Sequence, residues 1–291
     1  MSQRVLVVGA AGQLGRQLVT AFTTAGHEVV SVTRAQLDLS DPAAGEVVAA
    51  LEPEIVVNAA AWTDVDGCAR SPERAMLLNG VAPGRMAGGA ARAGALFVQI
   101  STNEVFDGNA AAPYEEDDPP SPINPYGASK LAGERAVAEA ASRHLIVRTA
   151  WLFGPGGTNF VTKILAAADR ASTSGDAVRV VEDEWGNPTW TPTLAAAIAG
   201  LATGESPRGI VHAVGEPATS RLNWAQAALA AARPEVVAEA TTLDSFARAS
   251  TVPRRAVLQP SVGLPHLGWH DETRTYALSL AAGAPSEVLP R

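Results

Sequence analysis

Cysteine is nearly absent from this chain. Cys68 is the single one in 291 residues, which excludes an internal disulfide and suits a reducing compartment. Lysine is scarce as well: Lys130 and Lys163 stand beside twenty arginines. Basic residues total 22 against 30 acidic ones, for a formal net charge of −8. That balance argues against a nucleic-acid or membrane-surface partner. An anionic substrate must therefore be held by a few local arginines. No apolar run reaches the roughly 20 residues a bilayer crossing needs. No charged segment with an apolar core opens the chain, so no signal peptide is read and a cytoplasmic location is expected. Internal repeats and low-complexity linkers are missing too. What remains is 47% apolar and 18% charged, the composition of a folded globular protein. The length fits one large domain or two interleaved ones.

Scarcity makes one segment informative. Tyr126-Gly127-Ala128-Ser129-Lys130 sets one of three tyrosines four residues before one of two lysines. Asn124-Pro125 precedes it, and a helix-forming run from Ala128 to Ala141 follows. Residues four apart share a helix face. A phenol has a pKa of about 10 and is a poor acid or base at neutral pH until a cation stands beside it. A phenol and an ammonium on one face thus make a proton donor with its own pKa depressor. The pair points to carbonyl reduction or alcohol oxidation, provided that a hydride carrier binds nearby.

The carrier signal lies at the other end. Arg4–Val8 reads as a buried strand, Gly9-Ala10-Ala11-Gly12-Gln13-Leu14-Gly15 as a glycine turn, and the stretch to about Ala25 as a helix. Glycines let the backbone approach a pyrophosphate, which the helix N-terminus attracts. The spacing is G-x-x-G-x-x-G, not the standard G-x-G-x-x-G, and a plain tight turn fits it equally well.

Strand-like runs recur at Glu28–Val32, Ile55–Val57, Leu96–Ile100 and Leu145–Arg148, with helix-like runs at Pro42–Leu51, Ala82–Ala93 and Ser129–Ala141. Near-continuous apolar strands separated by helices predict an α/β fold: a doubly wound parallel sheet, Rossmann-like, covered on both faces. Ligands then sit at the carboxyl ends of the strands. The dinucleotide-binding domain is expected at 1–150. Residues 151–291 are expected to form a smaller, partly interleaved substrate domain, with some segments returning to the sheet. Within it, Glu182–Thr189 reads as a loop lining a cleft, Thr191–Ala202 as a helix with Pro192 in its first turn, and Asp244–Pro260 as irregular. Ala110–Pro125 reads as a surface loop.

These features together resemble the extended short-chain dehydrogenase/reductases, and within them the dTDP-4-dehydrorhamnose reductase family. The resemblance rests on Gly9–Gly15, Asp38-Leu39, Asn58–Thr63, Val65-Asp66, Asn79, Ser101-Thr102, Val105–Gly108, Asn124–Glu134, Arg148–Trp151 and Gly186–Thr189. It implies NADPH-dependent reduction of the C4 ketone of a dTDP-4-keto-6-deoxysugar, dTDP-4-dehydrorhamnose to dTDP-L-rhamnose. A reductase for another nucleotide-linked deoxysugar and a non-catalytic NADP-binding regulatory subunit are the alternatives. Tyr126 would give the proton, Lys130 would lower its pKa and bond the nicotinamide ribose, and Thr102 would hold the carbonyl oxygen. Thr102 could also be a strand-end hydroxyl capping backbone. Gly9, Gly12, Gln13, Leu14 and Gly15 would cradle the cofactor. Asp38 and Leu39 would flank its adenine, and Ala60, Ala61, Trp62 and Thr63 would border it. Asp38 could instead cap the next helix, although Ser40 or Asp41 is better placed. Arg34 ends the second strand, where an arginine accommodates a 2′-phosphate and an acid would bind a free ribose hydroxyl. It leans the choice to NADPH over NADH, unless it is only a solvated surface arginine.

For the nucleotide-sugar substrate, Trp151 would pack on the sugar or base, or else anchor the core. Arg254 and Arg255 fall near the family's diphosphate-contacting segment, although Val252 and Ala256 replace the usual flanking Arg and Ser. Bidentate pairing is the reason to expect one arginine at the pyrophosphate. The sequence also departs from the family after Thr102. Asn103-Glu104 stands where related reductases have Asp-Tyr and related 4,6-dehydratases have an acid followed by a glutamate base. Asn103 cannot donate a proton as a carboxylic acid does. Glu104 is expected to orient substrate or support structure. His266-x-x-x-His270 has metal-like spacing, but Pro265 and Gly268 interrupt a helix, so no metal is expected. Cys68 reads as a small packing residue. A homodimer is the expected assembly.

Overall fold

Alternation along the first strand decides the layering. The computed structural model describes residues 1–204, 209–261, 264 and 267–283. In β1 (Arg4–Val8), Val5 and Val7 point to one side of the sheet, and Leu6 and Val8 to the other. All four are buried, as a parallel strand covered on both faces requires. The elements that follow are α1 (Gln13–Thr24), β2 (Glu28–Val32), α2 (Ala44–Ala50), β3 (Ile55–Asn58), α3 (Val65–Arg70) and α4 (Pro72–Ala75). A π-helical turn at Met76–Val81 then leads into α5 (Ala82–Arg92), β4 (Leu96–Thr102), α6 (Pro125–Ala140) and β5 (His144–Thr149).

The chain beyond residue 150 adds β6 (Leu152–Phe153), α7 (Phe160–Ser174), β7 (Val178–Val181), β8 (Trp185–Gly186), β9 (Thr189–Trp190) and α8 (Thr191–Thr203). It ends with β10 (Gly209–His212), β11 (Thr219–Ser220), α9 (Arg221–Ala232), β12 (Ala238–Thr241) and α10 (His270–Ala281). The central sheet has the order β10-β5-β4-β3-β1-β2, with every pair parallel. Strand order reverses between β1 and β3, which opens a crevice at their carboxyl ends. Leu14, Leu18 and Phe22 of α1 pack one face together with Leu194 and Ile198 of α8. Val48, Met86 and Val137 of α2, α5 and α6 pack the other. So α8 and β10 return to the first layer, while α7, α9 and α10 build a second core around Trp190, Trp224 and Tyr276.

Two sequence expectations change. Helix α6 starts at Pro125 rather than Ala128: Asn124 caps it by accepting from the Gly127 amide at 2.8 Å, and Pro125 takes the first-turn position where its missing N–H costs nothing. Tyr126 therefore lies inside the first turn. The Glu182–Thr189 loop carries two short strands, β8 and β9, because β11 and β6 offer partners that no local pattern announces.

A buried ion pair ties α6 to the sheet. The Arg148 guanidinium on β5 donates twice to the Glu134 carboxylate on α6, at 3.0 and 2.8 Å. Ser101 at the end of β4 donates to the same carboxylate at 2.5 Å. Both charged side chains are almost wholly excluded from water. Arg148→Met leaves that carboxylate without its cation and should lower the unfolding free energy by about 3–5 kcal/mol in urea titrations. Adding Glu134→Leu should recover most of the loss. Equal losses in the single and double variants would contradict this account of the pair.

Candidate active site

Two cavities open along the carboxyl ends of the strands and a third continues outward from them. The first, about 310 Å³, is bounded by Gly9, Gly12, Arg34, Asp38, Leu39, Ala60, Ala61 and Trp62. The second, about 460 Å³, shares Gly12, Ala60 and Ala61 with it and brings together Thr63, Thr102, Asn103, Glu104, Tyr126, Lys130 and Trp151, with Gln13 and Leu14 beside them. The third, about 650 Å³, shares Thr63, Trp151, Leu152 and Arg221 with the second. The first two make one trough, and Trp151 and Arg221 stand at the threshold to the third.

The floor of the first cavity is bare backbone. Gly9 has φ +81°, and a Cβ there would meet the Ala60 amide nitrogen at 2.8 Å. Gly15 borders none of these three cavities. It lets α1 lie directly on the Gly9 carbonyl. Helix α1 opens without a side-chain cap and without an acid in its first turn, which leaves its first N–H groups for an anion. In the second cavity Thr149 Oγ1 is a buried hydroxyl with no partner among the described residues. A glycine cradle, an uncapped helix start and an unsatisfied donor suit a dinucleotide.

At the far end of the first cavity, Arg34 is exposed and lies 3.9 Å from Asp38. Asp38 accepts from the Ser40 amide and hydroxyl at 2.8 and 2.7 Å, and these bonds hold its pKa below the usual carboxylate value. Asp41, not Asp38, accepts from the Ala43 amide at the start of α2. Arg74 borders the same cavity, its guanidinium 4.8 Å from the centre of the Trp62 ring. Sequence reasoning missed Arg74, since a lone arginine on a four-residue helix carries no local signal. The Trp62 backbone is clamped by Asn79, which accepts from its amide at 2.8 Å and donates to its carbonyl at 2.9 Å. Asn79 belongs to the π-helical turn, a device that recurs at functional sites.

In the second cavity Thr102, Tyr126 and Lys130 meet, all largely buried. Gly127 lets the first turn of α6 rest on the Glu104 carbonyl, and Asn124 donates to the Glu104 carboxylate at 2.7 Å. Burial raises the Tyr126 pKa, the Glu104 charge adds to that, and a hydrogen bond with Thr102 opposes both. Burial also lowers Lys130 to about 8, against the pull of Glu134. The expectation that Lys130 depresses the tyrosine pKa is not met: its ammonium donates to the Ile100 carbonyl at 2.6 Å and is not among the groups that shift Tyr126. Glu104 is itself raised, chiefly by burial, with Asn124 opposing. Asn103 spends its amide nitrogen on the Ala256 carbonyl at 2.9 Å, joining the end of β4 to the segment before Val257.

Trp151 borders two cavities, and it stacks on Trp224 at 5.8 Å with the planes 9° apart. Arg254 and Arg255 border none of the three cavities. Arg254 is paired with Asp183 and Asp244, and Arg255 lies over Trp185. The cations that do border the third cavity are Lys163, Arg179, Arg221 and Arg248. Cys68 is buried with its pKa pushed up to about 11 by desolvation, so it stays a thiol. No group of His, Cys, Asp and Glu among the described residues could hold a metal ion, and His266 lies outside them.

Residues 3–278 match the RmlD substrate binding domain family. The chain is 42% identical over 269 residues to dTDP-4-dehydrorhamnose reductase of Streptomyces griseus, covering 89% of this chain and 86% of the relative. It is 40% identical over 214 residues to dTDP-4-keto-6-deoxy-D-glucose reductase of Streptomyces niveus, covering 73% of each. A crystal structure of dTDP-4-dehydrorhamnose reductase from Bacillus anthracis in complex with NADP superimposes with a TM-score of 0.88 at 30% identity, over 94% of this chain and 98% of that one.

The low Lys130 pKa has a measurable consequence. Between about pH 8 and the ordinary lysine value of 10.5, the unfolded chain holds more proton at this residue than the folded one. Unfolding free energy therefore gains a rising contribution with pH across that window. Urea titrations at pH 7.5, 8.5 and 9.5 should show wild type gaining on Lys130→Met. A difference that stays flat would contradict the burial argument.

Proposed function

This chain belongs to the RmlD substrate binding domain family, and on that premise we propose that it reduces the C4 ketone of a dTDP-4-keto-6-deoxysugar with NADPH, dTDP-4-dehydrorhamnose going to dTDP-L-rhamnose. The observation that carries this is the meeting of Thr102, Tyr126 and Lys130 in a cavity continuous with a glycine-floored trough on one side and a cation-bordered cavity on the other.

Bound NADPH supplies the hydride. Thr102 and Tyr126 hold the carbonyl oxygen, and Tyr126 gives its phenolic proton to that oxygen as charge develops there. Burial and the Glu104 charge keep the phenol protonated, the form that a reductase needs at the start of the step. Lys130 would hold the nicotinamide ribose. Gly9, Gly12, Gln13 and Leu14 receive the pyrophosphate, Asp38 and Leu39 the adenosine, and Ala60, Ala61, Trp62 and Thr63 line the path between. Arg34 and Arg74 supply the positive end at which a 2′-phosphate would sit. The NADP complex of the Bacillus anthracis relative supports this cofactor, and NADH is the alternative.

Glu104 and Trp151 border the sugar. Asn103-Glu104 favours a second reading, in which the sugar is a different 4-keto-6-deoxyhexose. The Streptomyces niveus relative bears the name of such a reductase. Dehydration is disfavoured because Asn103 offers no acid and its amide is already engaged. We assign 1–150 to dinucleotide binding and 151–291 mainly to the sugar nucleotide, with α8 and β10 returned to the sheet. No helix among the described residues is long and apolar enough to cross a membrane. A cytoplasmic homodimer is the expected state.

Mixing the protein with NADPH and dTDP-4-dehydrorhamnose should consume NADPH absorbance. Tyr126→Phe should bind NADPH as wild type does and turn over ~10²–10⁴-fold more slowly. Wild-type turnover in that variant would remove Tyr126 from its role. Arg34→Ala should weaken NADPH in fluorescence titrations and leave NADH nearly unchanged. Equal losses for the two cofactors would show that Arg34 does not read the phosphate.

A further inference from the structure

With Arg254 and Arg255 committed elsewhere, the site needs another cation for the substrate's diphosphate. Four border the third cavity. Lys163 and Arg179 are exposed at its rim, where water and salt weaken their fields, and Arg248 is paired with Asp66 at 3.7 Å. Arg221 is the half-buried one, and of the four it alone also borders the reaction cavity.

Its neighbours fix it. The Arg221 Nε and Nη2 groups donate to one oxygen of Glu184, at 3.2 and 3.0 Å. The guanidinium lies 3.6 Å from the centre of the Trp151 ring, with Phe160 at 5.2 Å on its flank. Trp151 is held in a left-handed backbone conformation, φ +46°, that a bulky residue adopts only when its surroundings impose it. The Arg221 backbone amide also donates to the Glu184 carbonyl at 3.0 Å. These contacts use two of the five N–H donors of the guanidinium. Nη1 makes no hydrogen bond among the described residues. The result is a rigid cation with spare donors at the junction of the two cavities, partly neutralised by one carboxylate.

We propose that Arg221 is the residue that anchors the diphosphate of the nucleotide sugar. This rests on the reductase reading above and names the side chain that makes it selective for a diphosphate-linked sugar. A diphosphate spanning from the third cavity into the second must pass this guanidinium. Planar charge-assisted pairing suits Arg221, and its stacking on Trp151 means that little side-chain freedom is lost on binding.

The test is calorimetric titration of dTDP, thymidine and NADPH into wild type, Arg221→Gln, Arg254→Gln and Arg255→Gln, with steady-state kinetics on the 4-keto sugar. Arg221→Gln should weaken dTDP about 10- to 100-fold, and raise KM similarly with kcat little changed. Thymidine and NADPH should bind as to wild type. Equal loss of thymidine and dTDP would mean a structural role and would overturn the proposal, as would a loss seen in Arg254→Gln or Arg255→Gln instead. If Arg221→Gln fails to bind NADPH because Glu184 is left unpaired, the double variant Glu184→Gln/Arg221→Gln takes its place with the same expected outcomes. A wild type that binds no dTDP overturns the reductase reading and this assignment with it. A wild type that binds dTDP beside an indifferent Arg221→Gln overturns this assignment alone.

Discussion

The Arg148–Glu134 pair is the contact on which the reaction cavity depends. It joins β5 to α6, and the Ser101 hydroxyl at the end of β4 bonds the same carboxylate. Three elements are thereby locked at the point where their ends meet. Thr102 follows Ser101 directly, Lys130 lies one helical turn before Glu134, and Tyr126 one turn earlier still. The same carboxylate favours the charged form of Lys130 against burial. Such a pair contributes little net stability over an apolar replacement, yet breaking it is costly. Its value here is geometric: it fixes the register of α6 over the sheet. Glu104 and Asn124 complete that fixation from the other end of the helix.

Electrostatics then divides the trough. The chain carries a net charge of −8, but cations gather where anionic groups would lie. Arg34 and Arg74 stand at the outer end of the first cavity, and Arg221 stands between the second and third. Between them Thr102, Tyr126 and Lys130 are all buried. Low dielectric there strengthens each hydrogen bond made to a developing alkoxide. It also keeps the tyrosine protonated, the form from which a proton is given.

Much of this was legible in the sequence because it is local. The Gly9–Gly15 turn, the apolar strands and the Tyr126–Lys130 spacing each report on a few consecutive residues, and the parallel sheet follows from them. Helix α6 starts three residues before the expected Ala128, because Asn124 caps it and Pro125 takes its first turn. What stayed hidden depends on distant segments meeting. Arg74 approaches Arg34 only through the packing of α4. Arg221 reaches Trp151 across 70 positions of sequence, and Thr149 becomes a buried hydroxyl without a partner among the described residues only when β5 is seated. Arg254 and Arg255 looked like phosphate ligands by position, and Asp183, Asp244 and Trp185 had no local pattern to warn that they would claim them. The tyrosine pKa was misjudged for a related reason. Spacing places Lys130 on the right face, but the Ile100 carbonyl decides where its ammonium points.

The account stands or falls on where the hydride goes. Single turnover of dTDP-4-dehydrorhamnose with NADPH deuterated at the transferred position of the nicotinamide, followed by deuterium NMR of the product, reads this directly. One deuterium at C4 of the sugar, with none taken up at C3 or C5 when the reaction is run separately in heavy water, is the predicted result. A product without deuterium at C4, or with solvent deuterium at C3 or C5, would contradict it.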